Sequence, residues 1–141
     1  MPENYVLDAW ALLALLQKEE PAAARVRELL LQTQTAPEIQ VYMSVINLGE
    51  ILYILQRSQG EKEADQTVAD IRQLPIILLQ ANEDRVMAAA RLKASHRISY
   101  ADAFAAAAAE ELKAILITGD PELISLQGIL QIEAVVREVN K

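Results

Sequence analysis

Short, unbroken apolar runs set between segments of helical period constrain this chain more than any other feature. Tyr5-Val6-Leu7-Asp8, Ile76-Ile77-Leu78-Leu79 and Ala114-Ile115-Leu116-Ile117-Thr118 read as short buried strands, with further strands predicted at Ile39–Met43 and Ile132–Val136. Strands without polar alternation, separated by helices, specify a parallel sheet covered on both faces, hence an α/β fold. The predicted helices have local start and stop signals. One runs through Ala9, Leu12, Leu13, Leu15 and Leu16, and a second starts at Pro21 and reaches about Thr33. Ser44 caps a helix bearing Val45, Leu48, Ile51, Leu52 and Leu55, which Gly60 ends. A mostly polar helix spans Glu61 to Leu74. Asn82 caps another that runs to Ser95, with Glu83 and Asp84 favoured by the helix dipole in its first turn. Ser99 starts the helix Tyr100–Leu112, which contains the alanine run Ala105–Ala109, and a short helix covers Pro121 to Leu126.

At 141 residues the chain fits one domain, residues 1–141, without a linker or internal repeat. A domain of this size buries roughly 68 to 70% of its unfolded surface, enough for a full hydrophobic core. The 52% apolar and 23% charged content is that of a folded globular chain rather than a disordered one. No run approaches the roughly 20 apolar residues of a membrane span, and no signal peptide is recognisable, so a soluble, cytoplasmic protein with no membrane partner is expected. The absence of cysteine agrees with a reducing compartment. A net charge of −7 argues against nucleic-acid binding through a general positive surface, but not against a local patch. Arg85, Arg91, Lys93 and Arg97 follow one another with no acidic residue between them. A solvated helix face is the default explanation for that run, and contact with RNA by Arg91, Lys93 and Arg97 is the alternative.

Four carboxylates, Asp8, Glu50, Asp102 and Asp120, stand at the edge of, or inside, strongly apolar stretches. Unpaired buried carboxylates are costly, which implies a shared counter-ion. With no cysteine and a single histidine, His96, a thiolate or imidazole metal site is excluded, whereas an all-oxygen site for a hard cation such as Mg²⁺ or Mn²⁺ is open. Asp8 ends the first strand, Asp120 follows the fourth by one glycine, and the helix bearing Glu50 starts at the end of the second. In parallel α/β sheets ligands bind beyond the carboxyl ends of the strands, so these three acids point to one edge.

Each acid also has a purely structural explanation. Asp8 could cap the helix that follows it. Asp120, followed by Pro121 and Glu122, has a complete N-cap context compatible with a supporting or second-metal role. Ser99-x-x-Asp102 could be a capping box, yet Asp102 is the sole charged residue between Ile98 and Ala109, in a helix apolar enough to be buried. Glu50 is hardest to explain structurally, because no Lys or Arg lies at i±3 or i±4 to pair with it. His96 stands alone and is expected at a helix end, which leaves no histidine-based triad.

The segments YVLDAWALLAL around Asp8, SVINLGEIL around Glu50, ISYADAFAAAAA around Asp102 and ILITGDPEL around Asp120 together resemble the PIN-domain nucleases. The resemblance is closest to the VapC-like toxin ribonucleases of bacterial toxin–antitoxin pairs and extends over nearly the whole chain. It implies a three-layer α/β/α PIN-like fold with a central, mainly parallel sheet of four or five strands. It also implies that Asp8, Glu50, Asp102 and Asp120 form one catalytic cluster binding one or two Mg²⁺ or Mn²⁺ ions. The convergence of Asp102 with the other acids comes from the resemblance alone. Ser44 and Thr118 match hydroxyl positions near the acidic pocket of relatives, and Asn47 is placed there as a further polar contact. Relatives often carry a hydroxyl residue one or two positions after the first aspartate, where this chain has Ala9 and Trp10. Trp10 is expected to pack in the core, with stacking on a base as the alternative.

The expected function is that of a metal-dependent endoribonuclease hydrolysing RNA phosphodiester bonds, as the toxin of a VapBC-like pair, with a homodimer and a cognate antitoxin as the partners the resemblance implies. An inactive PIN-like binding module and a housekeeping RNA-processing nuclease are the alternatives. A receiver or phosphatase fold is disfavoured because Asp8-Ala9-Trp10 stands where Asp-x-Asp is required.

Overall fold

The structure, a computed structural model, describes residues 3–138. Its elements run β1 (Glu3–Leu7), α1 (Ala9–Leu16), α2 (Ala22–Thr35), β2 (Ile39–Ser44), α3 (Val45–Gln59), α4 (Glu61–Ile71), β3 (Ile77–Leu79), α5 (Glu83–Ser95), α6 (Tyr100–Leu112), β4 (Ile115–Thr118), α7 (Pro121–Ile124) and β5 (Ile132–Ala134). The five strands form one sheet in the order β3-β2-β1-β4-β5, and every pairing is parallel. The chain builds outward from β1 to β2 and β3, then returns to the other side of β1 for β4 and β5. The strand order therefore reverses between β1 and β4, at the crevice where α/β sheets of this kind bind ligands.

Alternation along the strands divides the core in two. Tyr5, Leu7, Val41, Met43 and Ile117 face α1 to α4, where Leu12, Val26, Leu29, Leu48, Ile51 and Ile71 meet them. Val6 and Leu116 face the opposite side, against Ala103 to Ala109 of α6 and Leu123 of α7. The result is the three-layer α/β/α arrangement expected from the apolar runs. The alanine-rich face of α6 has no long side chains to hold it off the sheet, and Ala105 and Ala106 are wholly buried against it. Among the described residues no helix is long and apolar enough to cross a membrane.

Local signals are realised closely. Asp8, Ser44, Asn82, Ser99 and Asp120 each cap a helix by accepting a backbone N–H, and His96 is the C-cap of α5. The strand at Ile76–Leu79 departs from expectation. It shortens to Ile77–Leu79 and forms an edge, so Ile77 is 45% exposed rather than buried, because nothing pairs beyond it. The helix from Glu61 ends at Ile71, three residues before the expected Leu74, and β5 stops at Ala134.

Candidate metal centre at the strand ends

The parallel sheet places the carboxyl ends of β2, β1 and β4 side by side, and each contributes a buried polar group. Asp8 follows β1, Ser44 ends β2 and Thr118 ends β4, all three essentially inaccessible to solvent. One Asp8 oxygen accepts the backbone N–H of Ala11 at 2.8 Å, and the other accepts the Thr118 hydroxyl. The Thr118 oxygen in turn accepts the N–H of Asp120 at 3.0 Å. A single side chain thus fixes the Asp8 carboxylate and the turn that carries Asp120.

Asp102 arrives from α6, which crosses the sheet and also packs on α3. Asn47, fully buried in the first turn of α3, donates through Nδ2 to the carbonyl of Ala101 at 3.1 Å and to Glu50 Oε1 at 3.4 Å. That amide ties the N-terminus of α6 to α3 and brings Asp102 toward the strand ends. Both Nδ2 partners are acceptors, so the amide orientation is dictated, and Asn47 Oδ1 is left buried without a partner among the described residues.

One carboxylate oxygen from each of Asp102, Asp120 and Glu122 lies within 4.8 Å of the others. Glu122 was not singled out from the sequence, where it reads as a first-turn acid matched to the helix dipole. The signal that could have found it is its spacing, since Asp120 and Glu122 flank the same proline at the start of α7. Asp8 and Glu50 lie outside this tight grouping but are close enough to act on it electrostatically. Burial, opposed by the hydrogen bonds from Thr118 and Ala11 and reinforced by the charges of Asp120 and Glu50, pushes Asp8 up to about 7. Burial and then the neighbouring charges of Asp120 and Asp8 push Asp102 up to about 8. Glu50 is also raised, by burial first and then by Asp120, against the hydrogen bond from Asn47.

Among the described residues, none of these five acids takes part in an ion pair; the salt bridges involve Arg25, Arg27, Arg85 and Arg137 instead. Mutually repelling carboxylates on hard oxygen donors, with neither thiolate nor imidazole beside them, match the ligand preference of Mg²⁺ or Mn²⁺. The donor set therefore fits a divalent cation.

The basic run lies elsewhere on the surface of α5 and the loop after it. Arg91, Lys93 and Arg97 are all exposed, and the Lys93 ammonium donates to the Ile98 carbonyl at 2.9 Å. Arg85 is taken up by Glu111. Trp10 packs partly into the core, as expected, with its ring against Gly119.

Comparison with known proteins places this architecture. No match is found among curated proteins. Among solved structures, VapBC-1 from nontypeable Haemophilus influenzae matches with a TM-score of 0.69 and 20% identity, over 93% of this chain and 97% of that one. Mycobacterium tuberculosis VapC20, described as a sarcin-ricin loop cleaving toxin, matches with a TM-score of 0.69 and 20% identity, over 95% and 99%. VapBC2 from Rickettsia felis, bound to a DNA fragment from its promoter, gives 0.69 and 18%, over 94% and 99%. At these identities the likeness speaks to the fold. The family model for the PIN domain matches residues 5–128, and the chain therefore belongs to the PIN-domain family.

Proposed function

We propose that this chain is a single-domain, Mg²⁺- or Mn²⁺-dependent endoribonuclease that acts as the toxin of a VapBC-like toxin–antitoxin pair. The observation that carries the proposal is the convergence of Asp8, Glu50, Asp102, Asp120 and Glu122 at the strand-order reversal, with no basic residue among the described ones to pair them. Evolution of a fold tolerates such a cost at a functional site, and perturbed carboxylates in a crevice are candidates for one. The fold shared with VapC20, a sarcin-ricin loop cleaving toxin, supports RNA as substrate, and the VapBC neighbours support an antitoxin partner.

Asp102, Asp120 and Glu122 would hold the cation, with Asp8 and Glu50 completing the negative field around it. When bound, a divalent cation supplies a lowered pKa for water and neutralises charge on phosphoryl oxygens. Thr118 and the Ala11 amide orient Asp8, leaving the carboxylate no freedom to rotate away. Glu50, half-buried and raised above its ordinary value, would accept a proton from the attacking water. Ser44 and Asn47 line the same edge, and Asn47 Oδ1 offers an unused acceptor. Arg91 on α5 and Arg97 in the loop after it, both exposed, would follow the RNA backbone, with Lys93 bracing that loop through the Ile98 carbonyl. We further assign a cytoplasmic, homodimeric form held inactive by its antitoxin.

Inducible expression of wild type and Asp102→Asn without a partner, followed by sequencing of RNA ends, tests this. Growth arrest with new, sequence-restricted RNA ends only in wild type is expected. Identical growth and identical ends in both would overturn the toxin assignment.

A further inference from the structure

Trp10 and Gly119 are separated by most of the chain, yet the structure puts them in direct contact. A Cβ built on Gly119 would stand 2.6 Å from Trp10 Cε2 and closer still to Cζ2 and Cη2, inside the van der Waals envelope of the indole. The other glycines Gly49, Gly60 and Gly128 have nothing within 4 Å of such a Cβ. Gly119 is therefore required by the ring pressed on it, since no left-handed backbone conformation is recorded there.

The indole has little room to retreat. The Arg137 guanidinium lies 5.2 Å from the centre of the Trp10 ring and is itself held by Glu19 at 3.0 Å. The segment carrying Arg137 is fastened to the start of α2. Ala22 N donates to the Val136 carbonyl, Glu138 N donates to the Glu20 carbonyl, and Pro21 bridges Arg137. Leu13 and Leu16 join Trp10 in the core cluster on this side of the sheet. Trp10 also stands in the first turn of α1, two residues after Asp8, so one short helix carries both the acid and its brace.

We propose that Trp10 is a positioning residue that holds the turn Thr118-Gly119-Asp120 from behind, so that the Asp120 carboxylate stands against Asp102 and Glu122 while Asp8 is held against Thr118. Gly119 is the residue between the two anchored positions, and its lack of a side chain lets the indole bear directly on the main chain. The Arg137 guanidinium packs over the same ring. The role assigned to the metal rests on the function proposed above; the contact and its effect on the turn do not.

The test uses the full chain. Amide exchange at Asp120, whose N–H is bonded to Thr118, is expected by NMR to accelerate strongly in Trp10→Ala and by a smaller amount in Trp10→Phe, whose ring stops short of the Cζ2 and Cη2 positions that meet Gly119. Mg²⁺ affinity by calorimetry is expected to fall by at least about tenfold in Trp10→Ala and by a smaller, measurable factor in Trp10→Phe. Leu13→Ala, which thins the same side of α1 without touching Gly119, serves as the stability control and should keep wild-type Mg²⁺ affinity. Gly119→Ala should weaken Mg²⁺ binding in the wild-type background and add little in the Trp10→Ala background, because the two changes disturb one contact. Wild-type exchange at the Asp120 amide in Trp10→Ala would overturn the proposal, as would Mg²⁺ affinity equal to that of Leu13→Ala. Should Trp10→Ala fail to fold, Trp10→Phe and Gly119→Ala decide by the same readings. Absence of Mg²⁺ binding in wild type would remove the metal from the proposed function, and amide exchange would then decide the role of Trp10.

Discussion

The hydroxyl of Thr118 donates to the carboxylate of Asp8 across 110 positions of sequence and simultaneously accepts the N–H of Asp120. One buried side chain thereby joins the end of β1, the end of β4 and the start of α7. Thr118→Val keeps the shape and removes both bonds, leaving a buried carboxylate short of one donor and an amide short of its acceptor. We expect a loss of about 1–3 kcal/mol in urea unfolding, with Thr118→Ser close to wild type. A valine variant as stable as wild type would show that the bond is not needed.

The perturbed acids make metal-free stability depend on pH in a definite direction. Above about pH 4, where free carboxylates ionise, the folded chain retains protons that the unfolded chain has released, on Asp8 up to about pH 7 and on Asp102 up to about pH 8, and the raised Glu50 acts in the same direction. The native state binds more protons, so stability is highest at the acid end of that window and falls as pH rises through it. Urea midpoints measured from pH 5 to pH 8.5 in EDTA should decline steadily. Saturating Mg²⁺ should flatten the decline, because cation binding needs the deprotonated acids and strengthens over the same range.

Asp102→Asn should separate stability from function. Removing a carboxylate that is raised by burial and by Asp120 relieves a cost of the metal-free fold, so its melting temperature in EDTA should rise above that of wild type at pH 8. Mg²⁺ should then raise the melting temperature of wild type but not of the variant. Equal metal shifts in the two proteins would remove Asp102 from the ligand set.

Glu122 and Glu50 are predicted to differ in kind. Glu122 lies on the solvent side of the tight oxygen grouping, so Glu122→Gln should weaken Mg²⁺ binding in calorimetry while leaving the unfolding free energy from urea titration within about 0.5 kcal/mol of wild type. Glu50→Gln should leave more of the Mg²⁺ affinity intact and depress RNA cleavage instead, as the proton-accepting role proposed for it requires. The opposite pattern would exchange their roles.

Asn47 couples two helices that share no covalent neighbourhood. Asn47→Ala deletes its hydrogen bond to the Ala101 carbonyl in a fully buried position, and a loss of about 1–3 kcal/mol in unfolding is expected. The same variant should loosen the start of α6, detectable as faster amide exchange at Asp102 and Ala103.

Much of the fold and part of the candidate site were legible in the chain itself. The caps at Ser44, Asn82, Ser99 and Asp120 depend on a side chain reaching a backbone N–H two or three residues away, so sequence spacing suffices to find them. The direction of Asp8 and Asp120 toward one edge follows from a parallel sheet, in which every strand ends on the same side. Glu122 was missed because its local context is fully explained by the helix dipole. The exposure of Ile77 was missed because an apolar run does not say whether its strand is central or at an edge.

The sequence by itself determined the alternation of strands and helices, the caps, the hard-oxygen character of the site and, through four motifs in order, the resemblance to PIN domains. These are short-range properties, set by periodicity, by hydrogen bonds within a turn and by which ligand atoms the chain possesses. Only the tertiary structure decided that β1 lies between β2 and β4, that Asn47 draws Asp102 to Asp120 and Glu122, and that Trp10 presses on Gly119. Those relationships join segments distant in the chain, and they arise because burying both faces of one sheet selects a single packing of helices whose local signals are compatible with several.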